Sequence, residues 1–210
     1  SRELLDQDRA ARGTSLARIY NDLGFEQLGI NEAAKSLSLD PGNAAVYEEN
    51  YAAFSARVSE LDGAVRTATA TVAPENRTLL TYHDAYAYFA DEYGWQVIGA
   101  IQPSDFAEPS AQEMADLIEQ VRATGVPAIF GSEVFPSPVL EQIGDETGVR
   151  YVDVLRDDDL PGEPGDDDHS WLGLMRFDYI TMVEALGGDA AALEAVSLSP
   201  TAPDESEYPR

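Results

Sequence analysis

Cysteine is absent from the 210 residues, so the chain can hold no disulfide, no thiolate metal site and no cysteine nucleophile. That absence fits any redox compartment. Positive charge is scarce: 13 Lys+Arg stand against 39 Asp+Glu, a formal −26, and Lys35 is the only lysine. A surface of that sign repels nucleic acid and anionic membranes, which tells against both as partners. Most of these carboxylates are expected simply to be solvated. No apolar run approaches the roughly 20 residues needed to span a bilayer, so no membrane insertion by this chain is expected. A Gly-rich phosphate loop and a Gly-x-Ser-x-Gly elbow are also missing. Ser104 or Ser132 can be paired with His83 and an aspartate on paper, but no strained nucleophile turn supports a triad. The expectation is therefore not an enzyme. Histidine is nearly absent too, with only His83 and His169.

What is present is a 44% hydrophobic fraction and enough length for one sizeable core, or one core plus a helical appendage. Residues 1–40 are helix-compatible but weakly patterned, interrupted by Gly13, Gly24 and Gly29. Asp40-Pro41-Gly42-Asn43 marks a helix start. Val46, Tyr47, Tyr51, Phe54, Val58, Leu61 and Val65 then follow helical spacing, predicting one long amphipathic helix over 41–71. Such a length suits a brace across more than one packed unit. Strands at 78–82, 95–101, 126–131 and 150–155 alternate with helices at 84–93, 110–123, 137–147 and 170–186. Gly94, Gly125 and Gly148 fit left-handed caps between them. The pattern implies an α/β fold: a four-stranded parallel sheet flanked by helices, with the first strand beside the third. Residues 72–190 form this lobe, and 191–210 are expected to be a polar, disordered tail.

In a parallel sheet, residues just after each strand share one rim, where ligands bind. His83 follows the first strand, Gln102 and Asp105 the second, Glu133 the third, and Asp157, Asp158 and Asp159 the fourth. One imidazole with several carboxylates suits zinc, manganese or iron about equally. Each residue also has a plain structural explanation. His83 can be a helix cap or hydrogen-bonded surface group, Glu133 can hold a loop, and Asp157 to Asp159 can be a solvated turn. Asp166-Asp167-Asp168-His169 fits a charged loop capping the last helix. Trp95 and Trp171, if exposed, would favour the alternative of a non-metal protein-interaction module with an acidic surface.

Thr81-Tyr82-His83-Asp84-Ala85-Tyr86-Ala87-Tyr88-Phe89 with Tyr93-Gly94 resembles the "T-x-H-D-A-F-x-Y-F…Y-G" segment of the solute-binding proteins of zinc and manganese ABC transporters. Pro109-Ser110-Ala111, Ala128-Ile129-Phe130 with Glu133, Asp158-Asp159-Leu160 and Gly173-Leu174-Met175 follow the family's order. Asp40-Pro41-Gly42-Asn43-Ala44-Ala45-Val46-Tyr47 resembles the start of its backbone helix. The resemblance covers about residues 30–187. It implies two lobes joined by a long helix with a metal between them. On this lobe His83 and Asp158 would be ligands, with Asp157 in place of Asp158 if the alignment slips by one, and Glu133 as a neighbour or further ligand. It also implies zinc or manganese as cargo, an ABC transporter permease as partner, an extracytoplasmic location and a monomer. No histidine precedes His83, so the family's amino-terminal lobe has no counterpart here. Residues 1–40 are accordingly expected to be a remnant of that lobe or its linker. Ser1-Arg2-Glu3 is no signal peptide and the chain does not start with Met, as expected of a processed or excised piece.

Overall fold

A computed structural model describes residues 44–102, 109–132, 137–156 and 159–200. The chain divides into two compact units, residues 1–56 with 201–210, and residues 57–200. The second unit is an alternation of strands and helices. Its elements, in order, are α1 (Ala44–Thr71, which begins in the first unit), a 3₁₀ turn (Pro74–Asn76), β1 (Thr78–His83) and α2 (Ala87–Tyr93). They continue with β2 (Gln96–Gln102), α3 (Ala111–Thr124), β3 (Ala128–Ser132) and α4 (Pro138–Thr147). The last are β4 (Arg150–Leu155), α5 (Trp171–Ala185) and α6 (Ala191–Glu194). Every strand and helix expected between 78 and 186 is therefore found within a few residues of its expected place. The long helix is found over the part of 41–71 that is described.

Local chemistry explains the boundaries. Ser110 accepts a hydrogen bond from the backbone of Glu113, whose side chain returns one to the Ser110 amide, a reciprocal cap that starts α3. Ser137 and Ser170 cap α4 and α5 in the simpler one-way manner. Helices α2, α3 and α4 each stop at a glycine in the left-handed region: Gly94, Gly125 and Gly148, at φ 71°, 64° and 74°. There a side chain would be strained.

The strands do not form the single four-stranded sheet that the sequence suggests. They pair as two two-stranded parallel sheets, β1 with β2 and β3 with β4. β1 and β3 nevertheless lie side by side, giving the spatial order β2, β1, β3, β4. Each pair carries a register irregularity. Leu79 is opposite Val97 but Leu80 is opposite Gly99, and Phe130 is opposite Val152 while Ser132 is opposite Leu155. Such bulges bend a strand and sharpen its twist, so side-chain packing, rather than a ladder, joins the two pairs among the described residues. Alternation along a strand reports burial but not which neighbour supplies the hydrogen bonds.

Burial follows the order. β1 is buried through Tyr82 and β3 throughout, as strands covered on both faces must be. Leu79 and Phe130 face one hydrophobic cluster, which gathers Leu61, Val65 and Ala68 of α1, Trp95, and Leu172, Met182 and Val183 of α5. Leu80 and Ile129 face the other, with Ile118 and Val121 of α3 and Leu140 and Ile143 of α4. Outer strand β4 is only half covered: Val152 and Leu155 are buried, whereas Val154 is exposed. Trp95 is buried, and its indole N–H donates to Thr69 Oγ1 on α1 at 3.2 Å. Trp171 is 45% exposed. On α1, Leu61 and Val65 are buried, while Val46, Tyr51 and Phe54 are exposed.

One boundary differs from expectation. Residues 191–200 are not polar tail: Ala191–Glu194 is helical, and Leu193 and Val196 sit in the core. The physical reason is a largely apolar stretch in which Leu193 and Val196, three residues apart, gain by burial. Residues 1–40, the start of the long helix at 41–43 and the tail beyond 200 lie outside the described residues.

Helix α1 is fastened to α2 by polar contacts. Tyr93 Oη donates to Asp62 Oδ1 at 2.8 Å, the Arg66 guanidinium lies 5.1 Å from the Tyr93 ring centroid, and Arg66 pairs with both Asp62 and Glu92. Hydrogen bonds from Arg66 and then Tyr93 hold the Asp62 carboxyl below its ordinary value, while burial and the Asp62 bond raise the Tyr93 hydroxyl. A depressed carboxyl stabilises the fold above its unfolded pKa, and that contribution is lost as pH falls through the folded value. Urea titrations should show Tyr93→Phe less stable at neutral pH by about 1 kcal/mol, the usual net value of one such bond. The gap between wild type and Asp62→Asn should close as pH drops from about 3.8 downward. A pH-independent gap would show that Asp62 contributes nothing through its charge.

At the start of α5 the preceding segment lies so close that a Cβ on Gly173 would overlap the carbonyl of Asp168. Backbone cannot rotate away as a side chain can. Gly173→Ala should therefore cost about 1–3 kcal/mol, as other overpacked sites do. An unchanged thermal midpoint would show that the 168–173 segment is free to shift.

Candidate metal-binding rim

His83 is the last residue of β1 and is half-buried, level with Gln102 at the end of β2. Its ring stands edge-on to that of Tyr82, with centroids 4.7 Å apart. Its carbonyl accepts from Thr81 Oγ1 at 2.7 Å, a local bond that holds the strand end where no ladder follows. The expected helix begins at Ala87, so His83 is separated from α2 by Asp84, Ala85 and Tyr86 and does not cap it.

The ends of β3 and β4 are level with one another, Ser132 opposite Leu155. Ser132 is buried, and Glu133 follows it outside the described residues, as do Asp105, Asp157 and Asp158. Glu133 and Asp158, and Asp157 as the substitute for Asp158, are therefore located only by the strands that lead to them. Asp159 is exposed. Among the described residues, no three His, Asp or Glu side chains gather as a metal-holding group. The structure thus fixes where His83 sits and leaves its carboxylate partners as sequence-based expectations.

Side chains from neighbouring elements secure the backbone beside those positions. Tyr151 of β4 crosses Gly131 so closely that a Cβ there would meet its hydroxyl oxygen at 2.5 Å, and Tyr151 Oη accepts from the Ser137 amide at 3.4 Å. Burial pushes the Tyr151 hydroxyl up, partly offset by that donated amide hydrogen. After β4, the Arg156 amide donates to Asp178 Oδ1 of α5 at 2.9 Å. The Arg156 guanidinium lies 5.3 Å from the centroid of Phe177 and donates to the Leu160 carbonyl at 3.1 Å. Asp178 is 4% exposed. Sequence reasoning passed over it, although a signal existed: Leu174, Asp178 and Met182 are spaced by four, which puts a carboxylate on the buried stripe of α5.

The Asp166 to His169 run behaves as a structured loop. Asp166 Oδ2 accepts from the Glu163 amide at 2.9 Å, and His169 Nδ1 lies 3.0 Å from the Pro161 carbonyl oxygen. The cap of α5 is Ser170 rather than Asp168, whose carbonyl instead accepts from the Ser170 amide at 2.7 Å. No helix among the described residues is long and apolar enough to cross a membrane.

The family profile described as zinc-uptake complex component A, periplasmic (ZnuA), matches residues 19–185. The zinc-binding protein TroA of Treponema pallidum (strain Nichols) is 29% identical over 173 residues, covering 80% of this chain and 56% of its own. The high-affinity zinc uptake system protein ZnuA of Bacillus subtilis (strain 168) is 28% identical over 156 residues, covering 74% and 48%. The solved structure of periplasmic zinc-binding TroA superimposes with a TM-score of 0.65 at 28% identity, over 79% of this chain and 61% of that one. The Mn-bound periplasmic metal binding protein from Candidatus Liberibacter asiaticus gives 0.62 at 26%, over 78% and 60%. This chain spans about half the length of the curated relatives it matches. With the strand–helix alternation, the rim histidine and a match over most of its length, the chain belongs to the family of periplasmic zinc-uptake components typified by ZnuA.

Proposed function

We propose that this chain is the metal-capturing part of an extracytoplasmic solute-binding protein, which takes up zinc or manganese and delivers it to an ABC transporter permease. The observation that carries the reading is the family match over residues 19–185, with His83 at the carboxyl end of a buried strand inside it. His83 supplies the imidazole and Asp158 the carboxylate, Asp157 substituting if Asp158 does not reach. Glu133, one residue past β3, stands beside them or joins them. The contact between β1 and β3 supports this grouping, since it puts the strand ending in His83 next to the strand leading to Glu133. The role is binding and transport, not catalysis. The protein works as a monomer, and the strongly acidic surface favours arrival of a cation in a general way.

One imidazole with carboxylates does not choose sharply between zinc and manganese. Water completes the coordination when the lobe acts alone, which makes affinity modest. The domain scheme follows: residues 41–71 as backbone helix, the α/β region as the metal lobe, and residues 1–40 as linker or remnant of a second lobe. The interaction-module alternative loses Trp95, which is buried, and keeps only Trp171.

Calorimetric titration of the 210-residue chain with zinc and with manganese tests the proposal. His83→Ala should weaken binding by at least about 10-fold, the lower bound for disturbing even a residue that merely orients a metal ligand. Equal affinity for wild type and variant would remove His83 as a ligand and this reading with it.

A further inference from the structure

Thr81 is 1% exposed, and its strand neighbours Leu79, Leu80 and Tyr82 are buried with it. A hydroxyl taken out of water is costly unless it is bonded, and valine would fill the same space without that cost. The hydroxyl is used: Oγ1 donates to the His83 carbonyl, two residues on, at 2.7 Å. The ladder between β1 and β2 reaches only as far as His83, opposite Gln102. The last peptide of the strand therefore gains a tie from the strand's own side chain. A second contact meets the imidazole. The Tyr82 ring, part of the cluster under α3 and α4, stands edge-on to it at 78°, with centroids 4.7 Å apart. Thr81 shares the opposite face of β1 with Leu79, which belongs to the cluster under α1 and α5. The two residues before His83 thus tie its backbone and its ring to different halves of the core.

We infer that Thr81 is a positioning residue for metal capture, acting through His83: its buried hydroxyl fixes the peptide that carries the ligand imidazole. The inference rests on the functional reading above and deepens it. An imidazole turns about two side-chain bonds, so its aim depends first on how the backbone beneath it is held. Fixing the His83 carbonyl restricts the direction in which the ring leaves the strand, and the Tyr82 edge narrows what remains. Less ordering is then left for the ion to impose, which favours binding. The task needs a hydroxyl donor rather than a methyl, so serine should replace threonine, and valine or alanine should not. Serine and alanine form a matched pair: both lose the threonine methyl, and only the oxygen distinguishes them.

The experiment compares the full chain with Thr81→Val, Thr81→Ser and Thr81→Ala, by zinc titration and by proton NMR of the metal-free forms. Two histidines alone contribute imidazole signals, and His169, whose ring meets the Pro161 carbonyl instead, is an internal control. His83 ring protons held against the Tyr82 ring carry a ring-current shift. In Thr81→Val and Thr81→Ala that shift should shrink while the His169 signals stay in place. Zinc affinity should fall roughly 10- to 100-fold in the same two variants, the range for groups that orient metal ligands. Thr81→Ser should keep both the shift and the affinity, a rescue that lost packing would not produce. The metal-free thermal midpoint of Thr81→Val should drop by no more than about 4 °C, the effect of one lost hydrogen bond in a chain of this size. Should Thr81→Val fail to fold, the serine and alanine pair carries the test. Wild-type zinc affinity in a folded Thr81→Val or Thr81→Ala chain would overturn the inference, as would equal losses in serine and alanine. A loss confined to His83→Ala would leave the metal-capture reading standing. If His83→Ala binds like wild type, or wild type takes up no zinc, the reading itself fails and this inference with it.

Discussion

Four side chains on two adjacent strands set the terms for everything else: Leu79 and Leu80 of β1, Ile129 and Phe130 of β3, each fully buried. Successive residues of a strand point to opposite faces, so these four feed two separate clusters, one under α1 and α5 and the other under α3 and α4. Burying each is worth about 1.5–3 kcal/mol. An exposed ion pair such as Arg57 with Glu60 is worth about 0–1 kcal/mol. Packing therefore decides the architecture, and the polar contacts trim it. One consequence is functional: with both faces of the central strands committed to helices, only the strand ends remain for polar chemistry, which is where His83 stands.

A chain of formal charge −26 must use its few basic groups sparingly. Several arginines are directed at backbone carbonyls. Arg77 donates to Val72, just past the end of α1, Arg122 to Glu146 in the last turn of α4, Arg156 to Leu160, and Arg176 to Val196 beyond α6. Carbonyls near helix ends and in turns lack intrahelical donors and carry partial negative charge. A guanidinium placed there satisfies a group that no carboxylate could. Arg57 and Arg66 instead pair with carboxylates, Glu60, Asp62 and Glu92.

The positions of strands and helices were legible because they depend on neighbours in sequence. Periods of two and of three to four residues, serine caps, and glycines where φ turns positive all act within one or two turns. Pairing was less legible. The shifts at Leu79/Leu80 and at Phe130/Ser132 depend on what lies across the sheet, so four expected strands emerged as two bulged pairs. The expected tail begins too early: Ala190 to Leu198 is mostly apolar rather than polar, and Leu193 and Val196 pack into the core. The place of His83 at a strand end was legible because a lone polar ring after an apolar run stands out. The burial of Asp178 was legible in its four-residue spacing from Leu174 and Met182, but its partner, a backbone amide, is announced by no side-chain pattern.

The rim depends on what guides the backbone once the ladder ends. Ordering one residue costs about 1–2 kcal/mol in backbone entropy, and one hydrogen bond returns about 1 kcal/mol net. A segment past the last ladder bond therefore keeps a fixed course only if other elements contribute more than a single contact. On the β4 side three contacts meet at Arg156: Asp178 at its amide, Phe177 beneath its guanidinium, and Leu160 at its tip. On the β3 side, Gly131 lets Tyr151 cross the strand, and its hydroxyl meets the Ser137 amide where the chain re-enters a helix. Both guides come from elements already locked into the two hydrophobic clusters. The backbone at both strand ends is thus tied to the core, through one aspartate and one tyrosine.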